Sequence, residues 1–288
     1  MSLTPDRPTR MGVIDYTNVW PVTYHFDKQR LSRPIEIVTK VPAVLNRALI
    51  AGVLDLSPVS SFAYGLACSR LALLPGLSVS SEGPVNSILV FSKEPLQSAA
   101  SGTIALTNTS ATSVNLLKII MEKYYGGRPV YWDSEPDLDK MMDTSDAALL
   151  IGDHAIKASW RDHGYYVTDL GKVWKDWTGF GMTFAVWAVQ QSFAKDNAKW
   201  LGEIAEALHA SRQQSAADLS PLVLKACREL GGTEAYWNHY FQNLTYDFTE
   251  ERQRGLQLYF DYCHELNLLD HPVQLSFWNE TTGTQVKR

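Results

Sequence analysis

Short β-branched runs hand over to helical patterns again and again along this chain, and small polar residues sit at the junctions. Gly12-Val13-Ile14 reads as a buried strand, followed by the loop Asp15-Tyr16-Thr17-Asn18-Val19-Trp20-Pro21-Val22. Residues 35–39 alternate like a strand; Pro42 then opens a helix that puts Val41, Val44, Leu45, Ala48 and Leu49 on one side and stops at Gly52. Residues 54–59 form the next strand, with Ser60-Ser61 as the N-cap of a helix through Leu66. Segments 71–75 and 85–92 are further strands separated by a Gly83-Pro84 turn.

After Lys93-Glu94-Pro95 the theme restarts. Residues 103–106 are a strand, 107–113 a run of hydroxyls and an amide, and Val114 to Tyr124 a helix closed by Gly126-Gly127. Strands follow at 130–132, 146–151 and 182–189, with a short aromatic helix around Trp174 and Trp177. Beyond Gln190 the spacing predicts helices at 193–213, 216–230, 233–242 and 249–268, and a frayed polar tail from Asn279. The pattern places lobe I at 11–93 plus 190–288 and lobe II at 94–189, behind a disordered leader at 1–10.

With 288 residues, 45% of them hydrophobic, the chain has enough apolar matter for one large or two moderate α/β domains. A net charge of −5 without a basic run argues against nucleic acid or an anionic membrane as partner, and no apolar run approaches the length of a membrane span. Cys68, Cys227 and Cys263 are odd in number and far apart, which fits buried small side chains in a reducing compartment. The leader lacks the apolar segment of a signal peptide, so the expected location is cytoplasmic.

Several chemistries have no sequence signature. There is no GxGxxG after a strand, no Walker loop and no GxSxG elbow, and the seven histidines show no HExxH spacing. The acidic stretch 133–139 lacks the Gly and Glu of a calcium loop, with Leu138 and Thr144 in their places, and reads as a solvated helix start. What remains is a set of small polar residues at strand ends, where open α/β sheets bind ligands: Asn18, Ser60, Ser61, Ser87, the 107–113 run and Asp153. Asn18 alone reads as readily as a turn residue before Pro21. Alternation leaves Asn86 and Ser87 open between pocket lining and solvated edge. The 107–113 run holds more polar side chains than a cap needs, and with the free N–H groups of a helix start it suits a carboxylate or phosphate.

Taken together, 14–21, 55–60, 83–88, Thr112-Ser113 before a helix, 146–153, Asp169-Leu170-Gly171 and Trp174…Trp177-Thr178-Gly179 resemble, in collinear order, the chorismate dehydratase family of the futalosine route to menaquinone. The resemblance implies a periplasmic-binding-protein-like (type II) fold, two α/β lobes with the ligand between them, and a cytoplasmic lyase without cofactor. Such an enzyme removes the C3 proton and C4 hydroxyl of chorismate to give 3-[(1-carboxyvinyl)oxy]benzoate. It assigns the reacting region to Asn18 and Ser87, and a carboxylate to Ser110, Thr112 and Ser113, within a pocket that includes Ser60, Ser61, Asn86, Thr107, Gly152 and Asp153. A carboxylate of the substrate, that of the enolpyruvyl arm, can then act as base; Asp15 and Asp153 are the protein alternatives. A sister branch, the dihydroxynaphthoate synthases, carries a catalytic histidine near the position of Gly152, and its absence here argues against that activity. Thr17, Trp20 and Phe180-Gly181-Met182 depart from the family pattern and bear on substrate fit. The competing class is a small aromatic-acid binding protein of the same fold without catalysis.

Overall fold

The computed structural model describes residues 7–279 and 286–287. Ten longer strands are β1 Thr9–Ile14, β2 Ile35–Lys40, β3 Leu56–Ser60, β4 Leu71–Ser81, β5 Ile88–Ser92, β6 Thr103–Thr107, β7 Val130–Ser134, β8 Ala147–Ile151, β9 Tyr166–Asp169 and β10 Met182–Gln190; β11 Leu244–Thr245, β12 Ser276–Phe277 and β13 Val286–Lys287 are short additions. They form two sheets. The first runs β13-β12-β4-β10-β3-β1-β2 with β11 against β4; the second runs β7-β6-β8-β5-β9.

Each sheet has a parallel part built from βα units, β1 with β2 and β3, and β6 with β7 and β8, and an antiparallel part that closes it. Burial follows this plan. β3, β5 and β8 are buried at every position, as strands covered on both faces must be. The C-terminal helices Ala198–Ala217, Ser220–Leu230, Glu234–Asn243 and Glu250–Glu265 bury Trp200, Leu222, Trp237, Tyr240 and Tyr259 against the first lobe's core.

The chain changes sheets between Ser81 and Ile88 and returns between Asp169 and Met182. The boundaries expected near 93 and 190 therefore need correction: β5 lies in the second sheet, paired with β8 and β9, and β10 lies in the first, between β3 and β4. Lys93-Glu94-Pro95 has linker composition but only ends a strand already inside the second lobe. The true crossovers are crowded. A Cβ on Gly171 would sit 2.5 Å from the Gly83 carbonyl oxygen, one on Gly181 2.7 Å from that of Ser81, and one on Gly255 2.6 Å from that of Gly181. No side chain fits where these backbones meet.

Three further expectations change. β4 continues past Pro75, because a register shift against β10 lets the strand bulge where proline removes a donor. Asn86 and Ser87 precede β5 rather than alternating within it, since Asn86 adopts left-handed backbone at φ 58°. Thr9 and Arg10 of the expected leader are in β1, and Arg7 makes a two-pronged bond to Asp55 at 2.9 Å; positions 1–6 lie outside the described residues. Most of the tail from Asn279 lies outside them too, except that 286–287 pair antiparallel with β12. Cys263 is buried, whereas Cys68 and Cys227 are half-buried. Asp137 caps the helix Leu138–Asp143, in keeping with a helix start at the acidic stretch.

Candidate active site

A narrow cavity of about 40 Å³ lies between the two sheets. Asn18, Ser60, Ser87, Ser110, Ser113 and Gly152 all line it. Its apolar walls come from residues that sequence reasoning did not assign, among them Tyr16, Val79, Val85, Ile151 and Phe184. Aliphatic and aromatic positions of this kind look like ordinary core in a sequence, so only the fold distinguishes them.

Each polar liner is placed by local chemistry. Asn18 lies in the 3-10 turn Thr17–Val19 just beyond β1, and its Oδ1 is buried without a hydrogen-bond partner. Ser60 ends β3 and caps the helix Ser61–Ala67, accepting from the Ala63 N–H at 3.3 Å. Asn46 fixes it from both sides: its amide donates to Ser60 Oγ, and its carbonyl accepts from the Ser60 N–H, both at 3.1 Å. Ser110 caps the helix Ala111–Ile119, accepts from the Ser113 N–H at 3.2 Å and donates to Ser113 Oγ at 3.0 Å. Two hydroxyls and a helix start thus share one wall.

Ser87 is the most constrained. Its carbonyl accepts from the Gly152 N–H at 2.7 Å, its hydroxyl donates to the Val85 carbonyl at 3.3 Å and accepts from the Tyr240 phenol at 3.2 Å. The loop before it is held by Asp169, whose carboxylate accepts from the N–H groups of Val85, Asn86 and Lys172 at 2.7–3.1 Å. Burial lifts the Asp169 carboxyl above its ordinary range against the pull of those N–H groups. Replacing Asp169 with alanine strands several buried donors and is expected to cost on the order of 3 kcal/mol, read as a lower urea midpoint at unchanged slope.

Five expected pocket residues lie elsewhere. Ser61 donates to the Thr183 carbonyl at 2.7 Å, tying its helix to β10. Thr112 Oγ1 accepts from the Phe62 N–H at 2.9 Å, so one lobe's residue caps the other's helix. Thr107 bonds Thr109 at 2.8 Å and lines a neighbouring groove. Asn86 turns away in its left-handed conformation and uses its N–H on Asp169. Asp153 opens the helix Gly152–Ser159 behind the cleft wall and accepts from Thr17 Oγ1 at 2.6 Å. Gly152 has φ +58°, and a Cβ there would lie 3.2 Å from the Tyr16 ring.

Burial raises the Asp153 carboxyl above its ordinary 3.8, with the Thr17 bond opposing. An acid whose folded value is raised favours the folded state most at low pH; that contribution fades as pH rises from about 3.8 through the folded value. Urea midpoints of Asp153→Asn are therefore expected to decline less than those of the unaltered protein across this window. Desolvation likewise raises the Tyr16 phenol, which the Thr109 side chain engages. No carboxylate, imidazole, amine or guanidinium lines the cleft among the described residues.

The model of a menaquinone biosynthesis family matches residues 9–265, nearly the whole described chain. The chain belongs to this family. Chorismate dehydratase from Thermus thermophilus is 34% identical over 268 residues, covering 88% of this chain and 94% of that protein. Among solved structures, the alkanesulfonate-binding protein SsuA from Xanthomonas axonopodis pv. citri bound to MOPS superposes with a TM-score of 0.70 at 16% identity, over 92% of this chain and 95% of its own. The periplasmic aliphatic sulphonate binding protein SsuA from Escherichia coli gives 0.68 at 15% identity, over 93% and 90%. Such likenesses establish a two-lobed periplasmic-binding-protein-like fold for this menaquinone-biosynthesis family member. No described helix is long and apolar enough to cross a membrane.

Proposed function

We propose that this cleft dehydrates chorismate to 3-[(1-carboxyvinyl)oxy]benzoate, in the cytoplasm, on the futalosine route to menaquinone. The observation that carries this reading is the relationship to a chorismate dehydratase over nearly the full length of both chains. The cleft's composition supports it. Apolar walls suit a carbocyclic ring, and hydroxyl and amide groups from both lobes suit a ligand rich in oxygen.

Dehydration breaks the C3–H and C4–O bonds and gains aromaticity, so the protein needs chiefly to orient the ring and to protonate the departing hydroxyl. Ser87 has a hydroxyl at the cleft and serves as donor to the C4 oxygen. Asn18, with its orphaned amide oxygen, holds the ring through a neighbouring group. Ser110 and Ser113 with their helix start receive a carboxylate. Since the described cleft wall carries no basic side chain, the substrate's enolpyruvyl carboxylate is the base in this scheme.

The test is incubation of the purified protein with chorismate, followed by chromatography and mass. A product lighter by one water, with the enolpyruvyl group retained, supports the reading. Chorismate bound but unchanged would instead favour the second reading, a small aromatic-acid binding protein, which the SsuA likeness makes structurally reasonable.

A further inference from the structure

We propose that the groove beside the cavity is the port through which a dianionic substrate enters, and that Arg47 and Lys118 are the charges that draw it in. This rests on the dehydratase reading and concerns the approach of the substrate rather than the bond-breaking step.

The cavity between the sheets, at about 40 Å³, has room for about three waters. A ring that bears a carboxylate and an enolpyruvyl arm is far larger, so the lobes must part to admit it. Topology says where. The chain leaves the first sheet after β4 and returns to it at β10; it enters the second sheet at β5 and leaves it after β9. β2 and β7 end their sheets at the edges farthest from those passages. Rotation about the crossovers therefore opens the molecule most widely on that side.

The groove lies there. It has a volume of about 400 Å³ and takes its walls from both lobes. Asn46 and Arg47 come from the helix Pro42–Ile50, which joins β2 to β3. Ser110 and Lys118 cap and line the helix Ala111–Ile119 of the other lobe, and Asp133 comes from β7. Groove and cavity also share a wall. Ser110 lines both, and Asn46 makes the two side-chain bonds that fix Ser60 in the cavity.

Charge gives the groove its purpose. The chain carries −5 overall, which opposes the approach of a dianion, and among the described residues no cationic side chain lines the cavity. The groove has two, one from each lobe. Among the described residues neither is in an ion pair, and Lys118 Nζ rests 5.5 Å from the centre of the Tyr131 ring. Cations in a concave wall focus their field toward its mouth. Opposing them are Asp133 on the wall and Glu135, which accepts from the Asn108 amide at 2.7 Å. These acids keep an anion from settling in the groove, which suits a passage; the helix start at Ser110 and Ser113 is the resting place for a carboxylate.

The test is stopped-flow association of chorismate, read by tryptophan emission, beside steady-state turnover. At low ionic strength Arg47→Gln combined with Lys118→Gln is expected to slow association and lower kcat/KM by about 10-fold, with kcat within about two-fold of wild type. Asp133→Asn is expected to do the reverse, raising both by about two-fold. At roughly 0.5 M salt, where screening confines each charge to a few ångströms, the three proteins are expected to converge. A double variant as fast as wild type at low salt overturns the port. So does a deficit that persists undiminished at high salt, or an Asp133→Asn protein that associates more slowly. Salt-dependent association without turnover keeps the port and removes the dehydratase reading, and turnover with none of these charge effects does the opposite. Failure of the wild type to bind chorismate removes both.

Discussion

Ser87→Ala is expected to lower kcat for chorismate by roughly 10²–10³-fold while the fold and KM change little. The side chain loses one oxygen, and the pocket loses the hydroxyl that both faces the ligand and receives the Tyr240 phenol. Removal of a donor used mainly as the C4–O bond breaks acts on the transition state, so the effect falls on kcat. Asn18→Asp keeps the shape but replaces a neutral amide by a carboxylate, which would repel a dianionic substrate. It is expected to raise KM and depress kcat together, by an order of magnitude or more in kcat/KM. Steady-state kinetics on both variants, with melting curves as controls, check the pair. Turnover within a few-fold of wild type in both would sink the roles assigned to them.

The second large effect concerns stability. Trp237→Ala is expected to cost about 3–5 kcal/mol, by removing a fully buried ring and leaving a cavity. Trp237 packs edge-on against Trp160, Tyr236 and Tyr240, and its Nε1–H donates to the Gly231 carbonyl at 2.7 Å. Alanine also removes that hydrogen bond. Because Tyr240 rests on this ring and reaches Ser87, activity should fall before global unfolding as denaturant is added. Parallel urea titrations by fluorescence and by turnover would show the offset; coincident curves would speak against it.

Most strands of both sheets were legible because period and turn chemistry agree there. The run 147–151 is apolar throughout, and the Ser60 and Ser110 caps mark where strands hand over to helices. Five of the polar candidates, together with Gly152, converge on the cleft for the same reason, since strand ends and helix starts share one edge of each sheet. The failures are also physical. Ser61 and Thr112 have the same chemistry as their neighbours Ser60 and Ser113, but one step along a helix start rotates a side chain by about 100°, from the cleft into the packing. Thr17 and Tyr240 carried no signal, because a phenol on a C-terminal helix 153 positions from Ser87 becomes its partner only through tertiary structure. The crossovers were misplaced because composition marks Lys93-Glu94-Pro95 as a linker, while the actual passages are defined by backbones touching at glycines.

The position of β10 has a consequence for biogenesis. It is the strand that joins β3 to β4, yet it emerges about a hundred residues after β4, once the whole second lobe has been synthesised. At ribosomal rates β3 and β4 wait roughly 5–20 s with facing edges unpaired, each a template for a wrong strand. The second sheet uses only strands contiguous between 88 and 169 and can close in the meantime. The nascent first lobe is thus the species that most needs a chaperone, and slower translation through the second lobe lengthens its exposure.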